Sequence, residues 1–415
     1  MQKSDVASMK LAGEGADKIY LAERQMPVLV ALRARYAKSS HLKGLTIGMC
    51  MHITKETAVL CKTLKAAGAK VALCASNPLS TQDDVAAALV KEGIFVYGRK
   101  GESTGKYKEH LRAVAMHKPN IVLDDGGDLT VEMLQNHKDK LGLVIGGCEE
   151  TTTGVIRLKA MERDGVLKYP VVAVNDNNTK RLIDNYYGTG QSTIDGILRA
   201  TNILLAGKSF VVCGYGPCGK GLSQRAKGMG ANVIVCEVNP FNALQAHLDG
   251  FRVMPIAEAA RIGDIFVTVT GNTGVITYAH MLTMKDGAIL ANSGHFDVEV
   301  DVATLNKKAK SKRRVRQHLD EYLLSNGRRV YVCGEGRLVN LAAAEGHPSE
   351  VMATSFLGQC FAIEYLLKNM GKLPPKVLRL PEEYDQEIAR LQLEAFGVKH
   401  DSMTAEQEKY VHSWK

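Results

Sequence analysis

Short apolar runs alternate with helical patterns along most of this chain. An amphipathic helix is expected from about Ala16, with Ile19, Ala22, Met26 and Leu29 on one face and Pro27 as a bend. Apolar runs follow at residues 45–50, 70–74, 94–97, 120–123, 143–145 and 171–174, and a second series at 208–213, 231–236, 251–254, 264–270 and 287–292, with 329–333 as a last strand. Runs this short, without polar alternation and separated by helical stretches, predict parallel sheets covered by helices on both faces. A helix over 349–369 comes next, and Pro374-Pro375 interrupts the pattern. A terminal helix then carries Tyr384, Ile388, Leu391 and Ala395 on one stripe. The expected fold is α/β, with two doubly wound parallel-sheet (Rossmann-like) domains plus a small C-terminal helical arm.

One stretch carries more than a fold. Lys208-Ser-Phe-Val-Val-Cys213 leads into Gly214-Tyr215-Gly216-Pro217-Cys218-Gly219, then a helical pattern to Met229, then a run from Ala231 to Cys236 ending at Glu237. The first glycine permits a tight turn and the second lets backbone approach a pyrophosphate. The third lets helix and strand pack closely, while the helix N-terminus faces the phosphate charge. Glu237 falls where a carboxylate accepts from a ribose 2′-hydroxyl and repels the extra phosphate of NADP. With strand, helix, second strand and acid in register, the expected cofactor is NAD.

Composition narrows the class. The 415 residues are enough for two or three domains, and 45% hydrophobic with 23% charged residues is ordinary for a globular chain. No apolar run reaches membrane-spanning length, and Met1-Gln-Lys-Ser-Asp leads into a helix and not an apolar signal region, so a cytoplasmic protein without membrane contact is expected. Nine cysteines form no C-x-x-C pair and sit mostly in apolar runs, which suits reduced core thiols; no metal is expected. The net charge of +9 is densest at Lys307-Lys-Ala-Lys-Ser-Lys-Arg-Arg-Val-Arg316. That run reads as a solvated helix face or loop; with no interleaved aromatic residue, no nucleic-acid partner is expected.

Polar residues gather after successive strands of the first series: His52, Thr54 and Glu56; Asn77, Ser80 and Gln82; Asp124, Asp125 and Asp128; Glu149 and Glu150; Asn175 and Asp176. Each group alone is an ordinary turn or cap. Five at one sheet edge point to a ligand site outside the carboxyl ends of the strands, between the two domains. Lys180 and Asp184, four apart, read either as a surface ion pair or as a pair that binds and deprotonates a sugar hydroxyl, with a desolvated lysine of lowered pKa. His295, in Asn292-Ser-Gly-His-Phe296, reads equally as a turn cap or as a group facing the same cleft.

Several motifs carry a family resemblance. They are His52-Ile-Thr-Lys-Glu-Thr-Ala58, Asn77-Pro-Leu-Ser-Thr-Gln-Asp83, Leu123-Asp-Asp-Gly-Gly-Asp-Leu-Thr130, Glu149-Glu-Thr-Thr-Thr-Gly-Val155, Gly214-Tyr-Gly-Pro-Cys-Gly-Lys-Gly221, Gly294-His-Phe-Asp-Val-Glu299, Gly336-Arg-Leu-Val-Asn-Leu341 and Gly346-His-Pro-Ser349. Over nearly its whole length the chain resembles the S-adenosylhomocysteine hydrolase family. The resemblance implies reversible hydrolysis to adenosine and homocysteine by transient oxidation of the ribose 3′-hydroxyl, loss of the 4′ proton, departure of the thiolate, addition of water and re-reduction. It implies a homotetramer, and domains at 1–182 plus 345–372 for substrate, 188–343 for NAD and 373–415 for oligomerisation.

By motif the resemblance assigns Lys180 to the 3′-hydroxyl, Asp125 to the 4′ proton, and Glu150 and Asp184 to the ribose hydroxyls. His52 and His295 serve the 5′ position, and Asn185 orients its neighbours. Substrate contacts fall to Thr54, Glu56, Asn77, Ser80, Gln82, His347 and Met352. Cofactor contacts fall to Thr151, Thr152, Thr153, Glu237, Asn242, Asn272 and Asn340 with the loop Gly214, Gly216, Pro217, Cys218 and Gly219. The chain departs from many members at Thr189, where they have cysteine, and at Lys55, where they have an apolar residue. It also stops at His412-Ser-Trp-Lys415, without the lysine and tyrosine that reach a neighbouring subunit's NAD, and faster NAD exchange is expected from that shorter tail. Three other readings stand beside this one: an S-inosylhomocysteine hydrolase of the same mechanism, a dehydrogenase that releases NADH, and a catalytically quiet NAD-binding regulator. Retention of Thr54 and Glu56 favours the adenosyl substrate, because a carboxylate accepts from adenine's amino group.

Overall fold

The computed structural model describes residues 3–414, so Met1 and Gln2 of the opening segment and Lys415 of the tail lie outside the described residues. Six strands of the first series form: β1 (Thr46–Cys50), β2 (Lys70–Cys74), β3 (Phe95–Tyr97), β4 (Ile121–Asp124), β5 (Gly146–Glu149) and β6 (Val171–Ala173). The second series gives β7 (Ser209–Cys213), β8 (Asn232–Cys236), β9 (Arg252–Val253), β10 (Ile265–Thr268), β11 (Ala288–Asn292), β12 (Ser311–Arg316), β13 (Leu319–Leu323) and β14 (Arg329–Cys333); β15 (Val377–Leu378) comes last.

The first sheet runs β15-β6-β5-β4-β1-β2-β3, with every pairing parallel. Strands buried on both faces need continuous apolar runs, which is why Ile47, Met49, Leu73, Val96, Leu123 and Val172 share one core with Phe356, Leu357 and Ile363 of the helix Ser349–Lys368. The second sheet runs β12-β13-β14-β11-β10-β7-β8-β9. Strand order reverses between β1 and β4 in one sheet and between β7 and β10 in the other, and these reversals open crevices at the carboxyl ends.

Five expectations need correction. The second sheet is mixed: β13 is antiparallel to β14 and β12 to β13. The basic run at 307–316 ends a helix (Val302–Lys308) and then forms the edge strand β12. Its charged side chains disguise a strand, yet charge is what an open sheet edge needs to resist further pairing, and Arg313 bonds Glu321 across the hairpin at 2.6 Å. The run at 143–145 is not a strand; β5 starts at Gly146. A β-carbon on Gly146 would lie 2.7 Å from Leu366, so helix packing excludes the β-branched residues that would have marked this strand. The bend at Pro27 is a full break between helices Ala12–Gln25 and Pro27–Ser39, with Met26 outside helical geometry.

The fifth correction concerns the C-terminus, which was expected as an arm separate from the first domain. Instead β15 extends the first sheet beside β6, and Ile388 of the helix Glu382–Ala395 is fully buried in the first core, with Tyr384 and Leu391 packed around it. The stripe therefore gives no argument for oligomerisation. The same helix reaches the site: Asp385 accepts from the backbone N–H groups of Asn178, at 2.5 Å, and Thr179, at 3.0 Å, just before Lys180. Replacing Ile388 with alanine should destabilise the protein by about 2–5 kcal/mol. An unchanged unfolding midpoint would contradict this packing.

Candidate active site

A cavity of about 1140 Å³ lies between the carboxyl ends of the two sheets. Its walls come from the segments after β1, β4, β5 and β6 on one side and after β7, β8, β10 and β11 on the other. The chain crosses between the sheets twice there, through Lys180–Thr201 and again through Asn340–Met352. Two glycine contacts pack the first crossing closely: a β-carbon on Gly196 would lie 2.6 Å from the carbonyl oxygen of Val339, beside the second crossing, and one on Gly221 of the helix Pro217–Gly228 only 1.9 Å from that of Tyr186.

The segment Lys180–Gly188 winds as a π-helix. Its wider turn places residues five apart, as well as four apart, on one face. Lys180 Nζ donates to Asn185 Oδ1 at 2.9 Å and lies 3.0 Å from Asp184 Oδ1 and 3.5 Å from Glu150 Oε1. All four side chains are buried, so the surface ion-pair reading of Lys180 and Asp184 is excluded. The expectation of a lowered lysine pKa is also corrected. Burial works against the ammonium, but Asp184 and Glu150 outweigh it and raise the Lys180 pKa. Asp184 is lowered: burial opposes its charge, and Lys180, His347 and a 2.5 Å hydrogen bond from Ser355 overcome that. Glu150 is pushed up to about 7, by burial first, with Lys180 opposing.

A second constellation stands across the cavity. His52 Nε2 is 3.2 Å from Asp125 Oδ2, and His295 Nδ1 is 3.7 Å from Asp125 Oδ1. Ser80 and Ser76 hydroxyls hold the other nitrogen of His52 at 2.8 and 3.0 Å. Burial lowers the His52 pKa to about 4 against the pull of Asp125, leaving a neutral ring at pH 7. The ligand atoms of the three residues lie within 4.8 Å of one another, a grouping that the expectation of no metal did not foresee. The turn-cap reading of His295 fails, since its ring points at Asp125.

At the far end Thr54 caps the helix Lys55–Ala66, and Glu56 beside it is buried and accepts from Ser349 at 2.7 Å. Lys55 sits 3.2 Å from Glu56 and 2.8 Å from Glu345, so the unusual lysine is tied to the second crossing and not free to contact a ligand. His347 bonds Asp184 at 3.0 Å and Thr189 at 3.3 Å, and Met352 lines the same wall.

The dinucleotide half fits its proposed guest. Gly214 has φ +111°, and a β-carbon there would lie 2.9 Å from the Val269 carbonyl oxygen; one on Gly219 would lie 2.0 Å from the Gly214 carbonyl oxygen. A β-carbon on Gly216 would meet nothing within 4 Å, so its open side leaves room at the N-terminus of the helix Pro217–Gly228. Glu237 is fixed by the N–H groups of Tyr215 at 2.6 Å, Val238 at 2.7 Å and Asn239 at 2.9 Å. Asn340 donates to Ser192 while its Oδ1 is buried without a partner, an acceptor suited to a carboxamide N–H. Thr151, Thr152, Thr153, Pro217, Cys218, Asn242 and Asn272 line this part of the cavity.

Not every expected residue arrives. Asn77, Ser80 and Gln82 do not line the cavity. Asn77 Oδ1 accepts from Leu79 N at 2.9 Å and Gln82 Oε1 from Lys55 N at 3.1 Å, so the polar turn after β2 closes on itself behind His52; Ser80 acts only through that ring. Gly219 also lies off the cavity, packed on Gly214. Two residues were missed. Ser355 and Gln359 of the helix Ser349–Lys368 bond Asp184 and Glu150. Their signal was present: polar residues four apart inside an otherwise apolar helix.

Two Rossmann-like sheets clasping a dinucleotide loop against a buried Lys–Asp–Glu–Asn cluster define an NAD enzyme that acts on a hydroxyl-bearing substrate. Residues 3–145 match the family described as S-adenosyl-L-homocysteine hydrolase, and residues 185–346 its NAD binding domain. The chain is 58% identical to the adenosylhomocysteinase of Saccharolobus solfataricus, across 99% of this chain and 98% of that protein. It is 57% identical to that of Aquifex aeolicus, across 99% of each, and 55% identical to that of Sulfolobus acidocaldarius, across 99% and 98%. The chain belongs to the S-adenosyl-L-homocysteine hydrolase family, and its cofactor is NAD.

The raised pKa of Glu150 sets a sign for stability. Its folded value, about 7, lies above the ordinary 4.5, so the folded state holds a proton the unfolded state has released. This group's contribution is therefore present at acid pH and lost as pH rises across that window. Thermal midpoints against pH should fall less steeply between 4.5 and 7 for Glu150→Gln than for the parent. Parallel profiles would contradict the assignment.

Proposed function

We propose that this protein catalyses the reversible hydrolysis of S-adenosyl-L-homocysteine to adenosine and L-homocysteine, keeping its NAD throughout. The observation that carries this is the meeting, in one cavity, of the dinucleotide loop, the Lys180 cluster and the His52–Asp125–His295 group. NAD would be held by Thr151, Thr152, Thr153, Glu237, Asn242, Asn272 and Asn340 with the glycine loop, and when bound it supplies reversible hydride acceptance.

The ribose sits against Lys180. Its hydroxyls donate hydrogen bonds to Asp184 and Glu150, which loosens the ion pairs that hold the Lys180 proton and lets the amine act as base toward the 3′-hydroxyl. A 3′-ketone acidifies the neighbouring 4′ carbon–hydrogen bond, and Asp125 takes that proton. Homocysteine leaves the 5′ carbon as its thiolate, and neutral His52, with His295, takes a proton from the water that replaces it and passes it to the sulfur. Asn185 ties Lys180 to Asn175, with bonds of 2.9 and 3.2 Å, and orients the amine. Glu56 presents a carboxylate to the base, which supports adenine and its donor amino group over hypoxanthine.

The two sheets form bodies joined by two crossings, and closure over substrate would exclude water from the ketone. A homotetramer is supported by the exposed apolar side chains of Phe396, Val398, Met403, Tyr410 and Val411 close together along the C-terminal segment. A cytoplasmic location fits nine free cysteines. Among the described residues no helix is long and apolar enough to cross a membrane.

Incubation with S-adenosylhomocysteine should release homocysteine thiol without accumulating NADH; net NADH would point to a dehydrogenase, and no thiol to a regulator. Lys180→Met should lower kcat by about 10²–10⁴-fold while NAD stays bound. A variant that retains full thiol release would remove Lys180 from the chemistry.

A further inference from the structure

Both sheets carry a cysteine pair at the same place. Cys50 of β1 is the register partner of Cys74 in β2, and Cys213 of β7 is the register partner of Cys236 in β8. Register partners on parallel strands point to one face, with backbones about 4.8 Å apart. The two pairs differ in access. Cys50 and Cys74 are wholly buried in the first sheet's core and do not touch the cavity. Cys213 and Cys236 line the cavity, one residue before Gly214 and Glu237, with Cys236 retaining 8% exposure. The two thiols are in direct contact: a hydrogen bond with Cys236, then burial, pushes Cys213 well above the usual thiol range.

We infer that Cys213 and Cys236 form a dithiol site for trivalent arsenicals and like thiophiles at the floor of the dinucleotide cleft, and that its occupation excludes NAD. β-carbons on registered parallel strands stand about 5 Å apart, beyond the separation of roughly 3.5–4.5 Å that a disulfide needs. A bridging atom lengthens the link and removes that mismatch. The chemistry also tolerates protonated thiols. A monosubstituted arsenoxide, R–As=O, forms two As–S bonds, and both thiol protons leave with its oxygen as water; arsenic stays trivalent. Among the described residues no third histidine, cysteine or carboxylate joins the pair into a metal-sized group, so the site offers two sulfurs and no more. The segments on either side, Gly214–Gly216 and Glu237–Val238, are those expected to face the dinucleotide, so a bulky group bridging the sulfurs stands where the cofactor's adenosine half must lie.

The test uses the full chain, stripped of dinucleotide or loaded with NAD, and phenylarsine oxide as probe. NAD binding by untreated stripped protein is measured first; its absence would undo the cofactor reading separately from this proposal. The stripped protein should gain one phenylarsenic bridge per chain by intact mass, mapped to the peptides holding Cys213 and Cys236. Its NAD affinity should fall at least tenfold and return on adding 2,3-dimercaptopropanol. NAD-loaded protein should react at least tenfold more slowly. Cys213→Ala and Cys236→Ser should each abolish the bridge, and Cys50→Ala should not. A bridge mapped elsewhere, equal reaction of loaded and stripped protein, or undiminished NAD affinity in the bridged protein would overturn the inference. Mapping on the unaltered chain decides the matter even where a variant fails to fold.

Discussion

An ammonium group buried between two carboxylates is the constraint around which this structure is arranged. Lys180 could not be buried alone, since removing a charge from water costs several kcal/mol, and each carboxylate faces the same penalty. Asp184, Glu150 and Asn185 satisfy it together, and they come from a π-helical turn and the end of β5. Removing Lys180 leaves two buried carboxylates without their counter-charge. The cluster therefore holds both a crossing between the sheets and the centre of the cavity, joining stability and chemistry at one point.

That centre is supported from a distance by parts that touch no ligand. Ser355 and Gln359 reach it from the long helix of the first core, and Asp385 holds the backbone just before Lys180 from the C-terminal helix. Ser80 and Ser76 do the same for His52. Orienting groups of this kind fix tautomer and rotamer before substrate arrives, so less of the binding energy is spent on ordering. The raised Lys180 pKa follows from this arrangement: the resting site stores the proton, and in the proposed mechanism ribose hydroxyls that donate to Asp184 and Glu150 would release it.

Much of this was legible in the chain, for a physical reason. Parallel strands buried on both faces demand uninterrupted apolar runs, so β1, β2, β7 and β14 stand out in sequence almost to the residue. The glycine loop was legible because only glycine tolerates the backbone approach at Gly214 and Gly219. What failed was set by tertiary contact. β5 is glycine-rich because a helix lies against it, β12 is charged because it is a sheet edge, and Ile388 found a core that no local pattern announces. The direction of the Lys180 shift was misread because burial was weighed without the two carboxylates that only the fold brings close.

The central claim is that the thioether is cleaved by way of an acidified 4′ carbon and not by direct displacement at the 5′ carbon. Incubating the NAD-loaded protein with adenosine alone in deuterium oxide tests it without any leaving group. The account predicts deuterium at the 4′ position of recovered adenosine, lost in Lys180→Met. Adenosine recovered without label, from protein that still hydrolyses S-adenosylhomocysteine, would contradict it.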